Sequence, residues 1–137
     1  MQLVVDTNIL LSFFRDNPVR FIIINSPLLN LDLYSPEHCW KELLNIKPSI
    51  SKYSKLSLEQ TDSIFEELKK IIAIVPDDLT KQFESQAKEL VHEKDTPIFA
   101  LALKLNCTIW SNEPSFKQQS SVKIFNTENL RKFLNLI

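Results

Sequence analysis

Short apolar runs that end in acidic or amide side chains alternate along this chain with stretches of helical period, and that alternation restricts the fold more than any other feature. Residues 2–5 run into Asp6-Thr7-Asn8, and the apolar stretch 9–14 follows as a helix. Residues 31–34, 72–75, 107–110 and 122–125 read as further strands, with 72–75 short and buried. Helices are expected over 19–25, after the Asp16-Asn17-Pro18 turn, and over 36–45, with Ser35 as cap, Pro36 in the first position and Lys47-Pro48 as the stop. Ser57-Leu58-Glu59-Gln60 has the form of a capping box and opens a helix to Lys70 with Ile64, Leu68 and Ile71 in register. Another helix begins at Asp77-Asp78 on the stripe Leu79, Phe83, Ala87 and Leu90, and gives way to charge at His92-Glu93-Lys94-Asp95. A nearly all-apolar helix follows, with Pro97 in its first turn and residues 98–105 buried on most sides; Thr127 caps a last one carrying Leu130, Phe133, Leu134 and Ile137. Strands separated by helices pair in parallel, so the expected fold is α/β with a mostly parallel sheet covered on both faces.

A length of 137 residues suits one domain spanning 1–137, with no repeat or linker to divide it. The chain contains no glycine. Loops that cradle phosphate, such as GxGxxG and GxxxxGK[ST], need glycine for close backbone approach, which sets dinucleotide and P-loop chemistry aside. The 16 basic and 17 acidic side chains nearly cancel, so any contact with nucleic acid has to be local. Cys39 and Cys107 form no CxxC pair and suggest neither zinc nor a disulfide framework, as in a reducing interior. No apolar run approaches the ~20 residues that cross a bilayer, and the N-terminus lacks the features of a signal peptide; a cytoplasmic, membrane-free protein is expected.

Acidic residues recur at element ends. Asp6 and Glu113 follow strands, and in open parallel sheets ligands bind beyond the carboxyl ends of strands. Asp95 enters its helix at the same edge by alternation. Glu42 lies roughly 10 Å along its helix at 1.5 Å per residue and can lean over that edge. Four carboxylates there repel one another, and a divalent cation with a preference for oxygen compensates them. Carboxylates with water suit Mg²⁺ or Mn²⁺, whereas zinc normally recruits His or Cys as well, and His38 and His92 are not a ligand-spaced pair.

Those residues resemble the PIN domain family. Val4-Val5-Asp6-Thr7-Asn8-Ile9-Leu10 looks like its opening strand and Asp-Thr-Asn, Glu42-Leu43 like its helical Glu-Leu, Asp95-Thr96-Pro97-Ile98-Phe99-Ala100-Leu101-Ala102 like the acidic start of its apolar helix, and Ile109-Trp110-Ser111-Asn112-Glu113 like its last acidic strand end. The resemblance runs from Leu3 to Phe125. It implies a three-layer α/β/α sandwich and a metal-dependent endoribonuclease acting on single-stranded RNA, often the toxin of a toxin-antitoxin pair. Asp6, Glu42, Asp95 and Glu113 would then bind Mg²⁺ or Mn²⁺ and carry catalysis; Thr7 or Asn8 would orient Asp6 or a water, and Ser111 and Asn112 would support the site. The last motif departs from the family's usual Thr-Gly-Asp or Thr-Asn-Asp: Ser-Asn-Glu is one methylene longer, which leaves open whether one metal or two are held. An antitoxin protein and a homodimer are the partners implied by analogy.

Plainer readings exist for each residue. Asp6 and Asp95 suit helix caps, worth roughly 1 kcal/mol each. Glu42 suits a solvated helix face beside Glu37 and Lys41, and Glu113 a turn before Pro114. Trp40 and Trp110 read as core rather than base-stacking platforms, and Lys69-Lys70 and Arg131-Lys132 as solvated faces. An RNA-processing nuclease without an antitoxin is equally consistent, and the alternative of another class is a catalytically weak PIN-like module that binds RNA or protein. A receiver-type signalling domain is excluded, because a single acid follows Leu3-Val4-Val5 and no acid ends the strand before Pro76.

Overall fold

The computed structural model of the chain describes residues 1–136. Five strands, β1 (Gln2–Val5), β2 (Asp32–Pro36), β3 (Ala73–Val75), β4 (Thr108–Trp110) and β5 (Ile124–Phe125), form one sheet in the order β3-β2-β1-β4-β5. Every pairing is parallel, as helical crossovers demand. The register pairs Leu3 with Leu33 and Thr108, and Val5 with Trp110. β1 is therefore the central strand, and Leu3, Val4 and Val5 are fully buried.

Helices α1 (Thr7–Ser12), α2 (Pro18–Ile24), α3 (Glu37–Asn45), α4 (Lys47–Ser54), α5 (Leu58–Ile71), α6 (Glu84–Lys88), α7 (Thr96–Leu105) and α8 (Thr127–Phe133) complete the α/β fold. The capping box of α5 forms as expected: Gln60's amide donates to Ser57 Oγ at 3.0 Å, and Ser57's amide donates to Gln60 Oε1 at 2.9 Å. α7 buries Ile98, Phe99, Ala100, Leu101 and Ala102, which accounts for its lack of a polar face.

Several boundaries differ from the sequence reading. Ser35 and Pro36 extend β2, and α3 starts at Glu37 without a side-chain cap, because Ser35 Oγ donates to the Pro36 carbonyl instead. The helix expected to stop before Lys47-Pro48 does end at Asn45, but Lys47-Pro48 also opens α4, since proline fits a first helical turn. The stretch after Asp77 is a 3₁₀ helix, Asp77–Phe83, before the short α6, and it buries Thr80 while Leu79 is exposed. β3 is half-exposed rather than buried because it pairs only with β2 at the sheet edge. On α5 the buried aromatic is Phe65, which packs on Phe14 and Trp40 with ring centroids 4.8 and 5.8 Å apart; Ile64 and Ile71 lie at the margin. Asn126, not Thr127, caps α8 by accepting from the amide of Asn129, and Thr127 Oγ1 accepts from Trp110 Nε1 at 3.1 Å. Leu130 is buried and Phe133 exposed. Ile137, expected on the same stripe, lies outside the described residues. Trp40 and Trp110 are core, as expected. No described helix is long and apolar enough to cross a membrane.

Candidate active site

The parallel pairing of Val5 with Trp110 makes Asp6 and Ser111 leave the sheet side by side. Ser111 Oγ donates a short hydrogen bond to Asp6 Oδ2, and the amide of Ile9 donates to Asp6 Oδ1 at 2.9 Å, so Asp6 is also the cap of α1. Two oxygens with roughly four lone-pair sites still leave acceptor capacity. Asp6 is only 5% exposed, and burial pushes its carboxyl above the ordinary aspartate value of 3.8. The bonds from Ser111 and Ile9 pull the other way, and the charges of Asp95 and Glu113 push upward again.

Asp95 stands immediately before α7, and its side chain makes no cap bond, so the plain capping reading does not hold for it. It is half-buried, and its carboxyl is also raised: burial leads, Lys94 and His92 lower it, and Glu113 and Glu42 raise it. Glu42 reaches the site because α1 packs on α3, and its Oε1 accepts from Thr7 Oγ1 at 2.7 Å. His38 Nε2 stands 3.7 Å from that same oxygen. Thr7 thus orients Glu42; the sequence reading had assigned it to Asp6 or a water. Glu113 is exposed after β4, and its Oε1 accepts from the amide of Ser115 at 3.2 Å while its own amide donates to Ser111 Oγ at 3.1 Å. Its turn-capping role is therefore present alongside any other.

All four acids, with Thr7 and Asn8, line one cleft of about 520 Å³. It opens at the carboxyl ends of β1 and β4, beside the point where the strand order reverses and parallel sheets form their crevice. Ser111 lies buried behind Asp6. Asn112 faces elsewhere: its Oδ1 accepts from the amide of Thr127 at 2.7 Å and fixes the start of α8. Asp6, Asp95 and Glu113 form no ion pair with a described Lys or Arg. The carboxylates ring the cleft rather than meet at a point: among the described residues no three His, Cys, Asp or Glu side chains are close enough to share one ion. Behind Thr7, burial pushes the Cys39 thiol up to about 12, so it stays protonated and unreactive. His92, Lys94 and Ser115 also border the cleft, and the sequence reading had left them out. For His92 and Lys94 the signal was the charged run that carries Asp95.

A family model described as PIN domain matches residues 4–135. No curated protein sequence gives a significant match. Among solved structures, a chain in VapBC2 from Rickettsia felis bound to a DNA fragment from their promoter is similar at TM-score 0.67 and 20% identity, over 92% of this chain and 98% of that one. A chain in FitAcB from Neisseria gonorrhoeae gives TM-score 0.67 at 20% identity, over 93% and 99%. A chain in FitAB bound to the IR36 DNA fragment gives 0.59 at 21%, over 93% and 95%. At such identities the likeness is one of fold, and it agrees with the parallel sheet. Strand order, the acidic crevice and a family match over nearly the whole length coincide, and the chain belongs to the PIN domain family.

Proposed function

We propose that the chain is a metal-dependent endoribonuclease in which Asp6, Glu42, Asp95 and Glu113 hold Mg²⁺ or Mn²⁺. The observation that carries this reading is the convergence of four carboxylates on one cleft, two of them with raised pKa and three without a cationic side-chain partner among the described residues. Such a site is short of positive charge, and hard oxygen donors suit these ions. The exposed Glu42 and Glu113 each commit one oxygen to a hydrogen bond, which leaves the other to turn inward.

When bound, the ion would activate water at neutral pH and balance charge on the phosphate. The chain's own residues fix the acids: Ser111 and the Ile9 amide hold Asp6, and Thr7 holds Glu42. In the hydrolysis, water oxygen bonds to phosphorus, one ester P–O bond breaks, and the leaving oxygen takes a proton to become an alcohol. No side-chain nucleophile is needed.

The toxin of a toxin-antitoxin pair is the cellular role this reading favours. It is supported by the likeness to chains in the VapBC2 and FitAB complexes, and by the exposed apolar Phe21, Ile24 and Leu28, which suit a protein partner. A short open reading frame beside the gene, encoding a protein that co-purifies and blocks cleavage, is the expected companion; its absence would favour RNA processing.

A second reading, a weakly catalytic module that binds RNA or protein, is favoured by the spread of the carboxylates and by Glu113's bond to Ser115. Cleavage of end-labelled single-stranded RNA separates the two. The nuclease reading expects cutting that needs Mn²⁺ or Mg²⁺, stops in EDTA and falls at least about a hundredfold in Asp6→Asn. RNA bound but uncut at every metal concentration favours the module, and cutting indifferent to EDTA contradicts the metal site.

A further inference from the structure

The acidic cleft continues past Asp95. A second depression of about 310 Å³ shares His92, Asp95 and Ser115 with it and extends between residues 89–91 and Gln118. Among the described residues lining the cleft itself, Lys94 is the one Lys or Arg. It is exposed, and no described carboxylate lies within ion-pair distance of it, although its charge acts on the neighbouring Asp95. An ammonium group without an ion-pair partner among the described residues thus stands at the mouth of a site lined by four carboxylates.

A chain with nearly balanced charge has no overall field to draw in a polyanion, so one positioned cation has a disproportionate effect on where a phosphate settles. The second depression offers a different surface. Leu90 and Val91 give it half-buried apolar side chains, Ser115 and Gln118 give it polar ones, and Glu89 makes it inhospitable to phosphate. Its chemistry suits the uncharged parts of a nucleotide.

We propose that this depression is a nucleotide subsite: Lys94 binds a phosphate of single-stranded RNA at the cleft mouth, and the adjoining ribose and base rest against Leu90, Val91, Ser115 and Gln118. The inference rests on the ribonuclease reading and specifies the path of its substrate. Lys94 acts in binding and positioning, and it takes no part in bond breaking.

Steady-state cleavage of single-stranded RNA, measured across a salt series, tests it with Lys94→Ala, Lys94→Arg, Gln118→Glu and Gln118→Lys, all at exposed positions. Lys94→Ala is expected to raise KM roughly three- to fivefold with kcat within about twofold, and Lys94→Arg to stay near wild type. The slope of log(1/KM) against log[salt] should become shallower by about 0.7, the value of one phosphate contact on a single strand. Gln118→Glu should raise KM and Gln118→Lys lower it, and Mn²⁺ affinity by calorimetry should be no weaker in Lys94→Ala than in wild type, because losing that cation leaves Asp95 in more negative surroundings. RNA cleavage whose KM and salt slope ignore Lys94→Ala, or whose KM is equal in the two Gln118 variants, overturns the subsite and leaves the nuclease reading standing. A wild-type chain that neither binds Mn²⁺ nor cuts RNA removes both.

Discussion

Replacing Asp95 by Asn should stabilise the metal-free protein at neutral pH. The carboxyl is half-buried, makes no side-chain cap bond and faces Glu113 and Glu42, while Lys94 and His92 compensate it only in part. Its folded pKa is therefore raised above 3.8. The sign follows by linkage: below that value the side chain is protonated in both states and its contribution is intact, and as pH rises through the raised folded value the native state has to carry a charge it holds poorly. Stability attributable to Asp95 is lost over that window. Asn keeps the shape, never ionises and is acceptable at the start of a helix. Solvent reaches much of the carboxyl, so screening discounts the effect to about 0.5–1 kcal/mol, or roughly 2–5 °C in Tm for a chain of this size. Thermal denaturation in EDTA, followed by circular dichroism from pH 3 to 8, reads it directly. Asp95→Asn should melt near wild type at the acid end and above it at pH 7. Adding Mn²⁺ should raise the wild type more and so close or reverse the gap, since a ligand stabilises the state that binds it. A variant that melts below wild type at pH 7 without metal, or a difference that does not change with pH, would refute the claim that Asp95 is electrostatically strained.

Other changes probe the supports of the site. Thr7→Val removes the 2.7 Å bond that orients Glu42, and it should weaken Mn²⁺ binding roughly tenfold in calorimetry while urea stability changes by less than about 1 kcal/mol. Ser111→Ala leaves Asp6 Oδ2 and the amide of Glu113 without their partner, and it should lower urea stability by about 1–3 kcal/mol at pH 7, with a smaller loss where Asp6 is protonated. Lys55 closes α4 at φ 58° in a chain without glycine, so Lys55→Gly should relieve left-handed strain and raise stability by about 0.5 kcal/mol, detectable as a higher urea midpoint at unchanged m-value.

The parts of the site that follow from strand ends were legible in the sequence, because an acid after an apolar run in a parallel sheet has one edge to occupy. Asp6 and Glu113 follow that rule, Asp95 follows from its place at the start of the helix that leads into β4, and Glu42 follows from helix rise and from family resemblance. Interactions set by packing between distant segments were not legible. Thr7 meets Glu42 across 35 positions, and nothing in either neighbourhood records the pairing. Thr127 looked like a cap because threonine favours that place, yet Trp110 claims its hydroxyl and Asn126 takes over. The α-helical stripe after Asp77 gave way to a 3₁₀ helix where tertiary bonds compete: Asp77 accepts from the amide of His38 at 3.3 Å, its own amide donates to Glu37 at 3.4 Å, and Thr80 bonds back to the Asp77 carbonyl. α3 ends before Pro48 as the sequence implies, yet the same proline starts α4, since proline suits both places and the local sequence does not show that a second helix follows.

The geometry also separates the labour among the acids. Asp6 is fixed by two hydrogen bonds in near-complete burial, whereas Glu42 and Glu113 sit exposed at the rim, each tied through one oxygen by a single hydrogen bond. Isothermal titration of Mn²⁺ into the metal-free chain, beside Asp6→Asn, tests the central claim most directly. Saturable binding by the wild type that is abolished or weakened at least about a hundredfold in the variant is the predicted result, and equal binding by the two proteins, or none by either, would contradict it.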